Sequence, residues 1–167
     1  MIDTVLTGEW VLDPSRSTVS LTTRCLGVVK VKGVFRQVTG EGTVTETGQV
    51  GGALTVAAAS IDTKNKKRDK HLRSADFFDS DNYPDITFTV DGIQLSGQDV
   101  TVTGTLRIRG RERPLTFNGT AMVHGDGEVW LDAAVKINRA DFGLTWNMLG
   151  TVSMHNALTV HTVFTRR

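Results

Sequence analysis

Val100-Thr101-Val102-Thr103-Gly104-Thr105-Leu106-Arg107-Ile108-Arg109 alternates apolar or small residues with polar ones without a break. Val100, Val102, Gly104, Leu106 and Ile108 share one phase; the threonines and arginines share the other. Successive side chains of a strand point to opposite faces, so this is a strand with one dry and one wet face. The pattern continues outward in both directions. Downstream, Leu115, Phe117, Gly119, Ala121 and Val123 oppose Thr116, Asn118, Thr120, Met122 and His124. A turn at Gly125-Asp126-Gly127 leads into Val129, Leu131, Ala133, Val135 and Ile137, and the last strand carries Leu158, Val160, Thr162 and Phe164. Upstream, Ile86, Phe88 and Val90 are in phase, with turn signals at Asp91-Gly92 and Ser96-Gly97. Leu54, Val56 and Ala58 mark a strand over Ala53 to Ile61, and a shorter one covers Gly42 to Thr47. Val29 and Val31 alternate with Lys30 and Lys32, and Gly33 marks a bulge or bend. Val19, Leu21, Thr23 and Cys25 share a dry face, and Glu9 to Asp13 opens the series.

About eight such strands at hairpin spacing predict an all-β fold, either a sandwich or a closed up-and-down barrel. Closure removes exposed strand edges, and a barrel of about eight strands can hold one small ligand. The dry phase contains small residues, Ala58, Gly104, Gly119, Ala121 and Ala133, which leave room for a cavity or for large neighbours such as Phe88 and Phe117. One stretch breaks the alternation. Arg68-Asp69-Lys70-His71-Leu72-Arg73-Ser74-Ala75-Asp76-Phe77-Phe78-Asp79 reads as a helical excursion, turning through Asp79-Ser80-Asp81-Asn82 into a strand at Ile86. Helix is expected over Lys64 to Ala75, capped by Thr63. Phe77, Phe78 and Tyr83 must be pinned on apolar surface, so the excursion is expected to cap one end of the fold.

The 167 residues suit one domain over 1–167, and 39% hydrophobic with 22% charged residues is globular composition. A net charge of +1 excludes a global footprint for nucleic acid. Cys25 is the only cysteine, so no internal disulfide forms. The N-terminus has no basic stretch followed by an apolar core, and no apolar run approaches the ~20 residues that span a bilayer. The expected location is cytoplasmic, or periplasmic or secreted if a signal has been removed.

No G-x-S-x-G elbow, P-loop, H-E-x-x-H or G-x-G-x-x-G is present. His71, His124, His155 and His161 lack H-x-H spacing. Asp76, Asp79, Asp81 and Asp85 lack calcium-loop spacing and read as turn formers. Neither catalytic residues nor a metal are expected. Two basic clusters, Lys64, Lys66, Lys67, Arg68, Lys70, Arg73 and Arg107, Arg109, Arg111, Arg113, are solvated surfaces or a contact with anionic membrane.

Several motifs span the chain in order: Trp10-x-Leu12-Asp13-x-x-x-Ser17-x-Val19; Gly33-x-Phe35; Ser60-Ile61-Asp62-Thr63-x-Asn65-x-x-Arg68-Asp69-x-His71-Leu72-Arg73-Ser74-x-Asp76-Phe77-Phe78-Asp79; Tyr83-Pro84-x-Ile86-Thr87-Phe88; Gly104-x-Leu106-x-Ile108-x-Gly110; and Asn138-Arg139-x-Asp141-Phe142-Gly143. Through them the chain resembles the YceI-like family of polyisoprenoid-binding, lipocalin-like barrels. The resemblance implies an eight-stranded antiparallel up-and-down barrel, with one short helical excursion around residues 64–79. It implies an apolar tunnel holding an isoprenoid-type lipid, a polyprenoid or isoprenoid quinone, with no other cofactor and no enzymatic activity. Binding, storage or transport of that lipid is the expected function. The rivals are an enzyme acting on such a lipid and a filled barrel serving as an interaction module. A homodimer is also open. Arg24-Cys25 departs from the Lys-His pair of many relatives, and the apolar run after Gly143 departs from their more polar segment.

The expected tunnel lining follows from the dry phases: Val19, Leu21, Val29, Val31, Leu54, Val56, Ile86, Phe88, Val102, Leu106, Ile108, Leu115, Phe117, Gly119, Ala121, Leu131, Ala133, Val135, Leu158 and Val160. Phe142, Leu144, Trp146 and Met148 are expected at its entrance. Each buried CH₂ contributes about 0.8 kcal/mol against water. The competing environment for such a lipid is a bilayer of equal apolarity, so selectivity must come from tunnel shape and a few polar groups.

Overall fold

The computed structural model describes residues 4–147 and 152–167. Its strands are β1 (Gly8–Leu12), β2 (Thr18–Cys25), β3 (Val29–Phe35), β4 (Val38–Val44), β5 (Val50–Ala57), β6 (Ile61–Asp62), β7 (Asp85–Ser96), β8 (Asp99–Ile108), β9 (Arg111–His124), β10 (Glu128–Asn138) and β11 (His155–Arg166). One α-helix, α1 (Lys66–Arg73), interrupts them. All pairings are antiparallel.

The elements merge into eight barrel staves, because three of the staves bend. β1 pairs with Leu12 to Trp10 along Phe164 to Arg166, and β2 pairs lower on the same β11 through Thr18 to Thr22. β1 and β2 are therefore one stave, bent at the short helical turn Pro14–Arg16. β3 and β4 form the second, bent at Arg36-Gln37, and β5 with β6 form the third, bent at Ala58–Ser60. From there β7, β8, β9, β10 and β11 follow in sequence order, and β1 closes the ring between β4 and β11. Every stave has two neighbours, so no edge is left open.

Three local expectations give way to tertiary structure. Asp91-Gly92 is not a turn: β7 runs through it, and the register slips between Val90 and Gly92 as a β-bulge. Gly33 is not a bulge; it stays in register opposite Leu21. A Cβ there would meet Ile61 Cδ1 at 2.7 Å, so the residue makes room for β6 crossing over it. The strand expected over Gly42 to Thr47 covers Val38–Val44 instead.

The interior has two parts. At the end with the β4–β5, β7–β8 and β9–β10 turns, Trp10 and Leu6 pack with Val44, Val50, Ile93, Leu95, Val129 and Phe164. Val100, Val102 and Ala121 pack beside them with Leu131, Phe88 and Phe117. This end is solid. Gly104 and Gly119 belong to its tight packing rather than to free space. A Cβ at Gly104 would sit 2.2 Å from the Thr89 carbonyl oxygen, and one at Gly119 would sit 2.4 Å from that of Asp132. The small residues of the dry phase let strands approach one another; they do not outline a cavity.

Gly119→Ala should therefore destabilise the barrel by about 1–3 kcal/mol or more. Gly51→Ala, where nothing lies within 4 Å of the new methyl group, should be neutral or stabilising by up to about 1 kcal/mol. Urea unfolding of both variants checks this. Equal stabilities would contradict the close strand approach at Gly119.

Candidate functional site: an apolar cavity under a pinned cap

The other end of the barrel is hollow. A cavity of about 320 Å³ runs from the Phe88 and Phe117 rings, 5.4 Å apart, to the α1 end. That is many times the ~10–15 Å³ that admits one water, and it falls in the ~300–1,000 Å³ range of ligand pockets. Nearly all of its wall is aliphatic or aromatic.

The expected lining residues divide. Val29, Val102, Gly119, Ala121, Leu131 and Ala133 are off the wall, and Met148 lies outside the described residues; the remainder line the cavity. The reasons are local. Val102, Ala121 and Leu131 are consumed by the solid end. Gly119 is wedged on β10, and Ala133 Cβ fills the space beside it. Val29 is half exposed at the β2–β3 hairpin, beyond the rim. Alternation reveals which face is inward, but not the height at which a side chain stands along the barrel axis.

The wall also includes residues outside the expected lining. Thr23 and Cys25, on the dry face that alternation gave β2, are two of them. Gly33, Phe35 and Ile61 come from the crossing of β3 and β6, and Ile137 and Asn156 from the ends of β10 and β11. Arg68, His71, Leu72, Phe77 and Phe78 come from the cap. Thr23 Oγ1 is buried without a hydrogen-bond partner among the described residues, on the cavity side of its strand.

The cap is held by specific polar contacts, because α1 is too short to persist alone. Asn65, not Thr63, is its N-cap: Arg68 N donates to Asn65 Oδ1 at 3.0 Å. Thr63 has another task. Its backbone N and its hydroxyl both donate to Asp69 Oδ1, which turns this carboxylate inward, and Arg68 donates back to Thr63 Oγ1 and the Thr63 carbonyl. Lys64 N and the Arg36 guanidinium hold the Asp62 carboxyl below the usual carboxylate range, the backbone N–H being the larger influence. Asp79 adopts φ 48°, reversing the chain so that Phe77 and Phe78 face inward; both are buried. Arg109 Nη1 donates to the Phe77 carbonyl at 3.0 Å, so this member of the second basic cluster fastens the cap instead of facing a partner.

His71 joins the cap to the segment after β10. Its Nε2 lies 2.8 Å from Asp76 Oδ2, and its ring meets Trp146 edge-on at 4.4 Å between centroids and Phe77 at 5.2 Å. Arg139 organises that segment. It is 7% exposed and donates to the carbonyls of Leu144 and Trp146, both at 2.7 Å, and of Ser153 at 3.1 Å, while its guanidinium lies 5.7 Å from the Phe77 ring centroid. No carboxylate pairs with it among the described residues. Burial pushes its pKa down, opposed by the nearby Cys25 thiol; a guanidinium nonetheless remains charged in proteins. The motif Asn138-Arg139-x-Asp141-Phe142-Gly143 thus builds a loop anchor, with Gly143 in the left-handed conformation at φ 76°.

A YceI-like domain model matches residues 10–164. "Protein YceI" of Escherichia coli is 36% identical over 97 residues, covering 54% of this chain and 50% of that protein. The Salmonella arizonae protein of the same name is 34% identical over 101 residues, covering 57% and 52%. The chain spans about half the length of the curated relatives it matches. Among solved structures, Burkholderia cenocepacia BcnA superposes with a TM-score of 0.83 at 23% identity, covering 91% of this chain and 98% of that one. A Saccharophagus degradans structure described as a polyisoprenoid binding domain gives 0.79 at 16%, covering 95% and 98%. A Campylobacter jejuni YCEI protein gives 0.74 at 26%, covering 84% and 87%. At such identities the first two likenesses speak for the fold.

Arg139→Met should strip the carbonyls of residues 144, 146 and 153 of their shared donor and cost at least about 2 kcal/mol. Hydrogen exchange should accelerate over residues 139–147 and 152–155 more than in the solid end. Unchanged exchange there would contradict the anchoring role.

Proposed function

Because the chain belongs to the YceI-like family, we propose that its cavity binds an isoprenoid-type lipid, a polyprenoid or isoprenoid quinone, and that the protein stores or carries it without chemically changing it. The observation that carries the reading is the cavity: about 320 Å³, walled almost entirely by apolar side chains, and closed at one end by a solid core. An apolar chain of small cross-section fits a space that runs along the barrel axis. The Saccharophagus degradans neighbour, described as polyisoprenoid binding, adds support at the level of fold.

The polar groups sit at the cap end, where a head group would come to rest. Thr23 Oγ1 and Asn156 offer hydrogen bonds, and Arg139 contributes a positive field in an apolar, low-dielectric setting. A carbonyl-bearing or anionic head suits that environment. Among the described residues no serine, threonine or cysteine side chain hydrogen-bonds to a histidine ring nitrogen: His71 Nε2 is engaged by Asp76 and His161 Nδ1 by Asp132. Nucleophilic chemistry therefore has no assembled partner pair to start from. The filled-barrel alternative is disfavoured by the cavity.

Gentle purification, solvent extraction and mass spectrometry should recover an isoprenoid. Added ligand at about one hundred times Kd should raise the melting temperature by about 5–10 °C for a chain of this size. Val160→Phe places a ring into the cavity wall; it should fold, lose extractable lipid and lose that shift. A variant that still carries the same lipid, or a wild type that converts it catalytically, would refute the reading.

A further inference from the structure

The β2–β3 hairpin stands at the cap end of the barrel, fastened to the wall of the cavity. Cys25 bridges to Val152, and Ser153 N donates to the Arg24 carbonyl at 2.9 Å. Cys25 and Val152 both line the cavity. Beyond that attachment the hairpin is bare and apolar: Leu26 is 67% exposed, Val28 79% and Val29 50%. Leu26 also adopts φ 54°, a left-handed backbone that disfavours a leucine and suits glycine or asparagine. A side chain that is strained and exposed at once adds nothing to the stability of the isolated barrel, and such strain concentrates where a protein meets a ligand or partner.

The charges behind the tip repeat the pattern. Arg24 stands directly opposite Lys30 across the hairpin, and Lys32 opposite Thr22. Like charges opposed on a sheet repel. None of the three cations has an ion pair among the described residues. The same end carries α1, whose Lys66, Lys67 and Lys70 are exposed, with Lys64 just before it, while its only acid, Asp69, is turned inward onto Thr63. An apolar tip backed by unneutralised cations is complementary to a surface that is anionic outside and apolar within.

We propose that this end docks on an anionic lipid bilayer, with Leu26 and Val28 entering the acyl boundary while Arg24, Lys30, Lys32 and the α1 lysines meet the head groups. The geometry presents the cap end of the cavity to the membrane. The choice of a bilayer over a protein partner rests on the reading of the cavity as a lipid site; the hairpin geometry does not.

The full chain is mixed with vesicles of phosphatidylcholine alone, or of phosphatidylcholine with one third phosphatidylglycerol, both free of isoprenoid, and sedimented. Binding is expected to the anionic vesicles only, weakening with salt and by about fivefold for each basic residue removed. Leu26→Asn with Val28→Ser should lower partitioning at least about tenfold. The same variant should melt no lower than wild type, because asparagine suits the left-handed position. Failure of wild type to bind anionic vesicles, or equal binding by the double variant, would overturn the proposal. So would a double variant that changes only the oligomeric state, which would make the hairpin a contact between copies. Solvent extraction of the same preparation keeps the two readings apart: extracted isoprenoid without vesicle binding overturns the docking alone, and vesicle binding with empty extracts supports the docking while counting against the carrier.

Discussion

Closure of the sheet depends on the bend at Pro14–Arg16. β11 pairs with the first stave along both its halves, but in two different registers, and the bend takes up the residues between them. The bend lets β1 meet Phe164 to Arg166 while β2 meets Ala157 to His161. It is stabilised locally. The Asp13 side chain accepts from Ser15 N and its hydroxyl and from Arg16, which holds its carboxyl below the usual carboxylate range, the Ser15 hydroxyl being the largest influence. Ser17 Oγ donates to the Asp13 carbonyl and accepts from Val163 N, and Asp13 N donates to the Val163 carbonyl. The hydrogen bonds that the ladder loses at the corner are thus replaced by side-chain ones, as buried backbone groups require.

With the ring closed, interior volume is divided by residue size and strand spacing. At one end Trp10, Phe164 and the aliphatic residues near them fill the section, with glycines admitting the closest strand approaches. At the other end, where three staves bend, the inward side chains leave a cavity of about 320 Å³ unfilled. The cavity lies where the bends are, and its floor is the Phe88–Phe117 pair. A cap is then obligatory, since the wall would otherwise face water.

That cap is not held by its own helix. α1 is an eight-residue segment rich in charge; it is positioned by Asp69 on Thr63, by Arg109 on the Phe77 carbonyl and by the aromatic contact of His71 with Trp146. Arg139 links the segment after β10 to the same aromatic group. Two chain segments distant in sequence become one lid through the buried Arg139, the partly buried Arg109 and a few aromatic rings. A pinned cap of this kind can yield locally without unfolding the barrel, because its stability is separable from that of the solid end.

Alternation alone was enough to establish strands, their inward faces and the single helical excursion, because side-chain direction in a strand is set by the backbone and needs no partner. The motifs running from Trp10 to Gly143 carried the family, and with it the barrel. Height along the barrel axis was not legible. Val102, Ala121 and Leu131 share phases with true wall residues such as Leu106, Phe117 and Val135, yet they stand in the solid end. Gly104 and Gly119 read as room and proved to be close approach, since the Thr89 and Asp132 carbonyls that fill their space belong to neighbouring strands. Asp91-Gly92 read as a turn and became a bulge because β8 pairs on both sides of it. Arg139 lay within a recognised motif without a role, because its carbonyl partners are presented by a loop that only the folded chain brings to it. Local chemistry determined what each segment is; tertiary contact decided which of two identical-looking inward residues meets a neighbour and which meets empty space, because that depends on distances across the barrel that no single strand encodes.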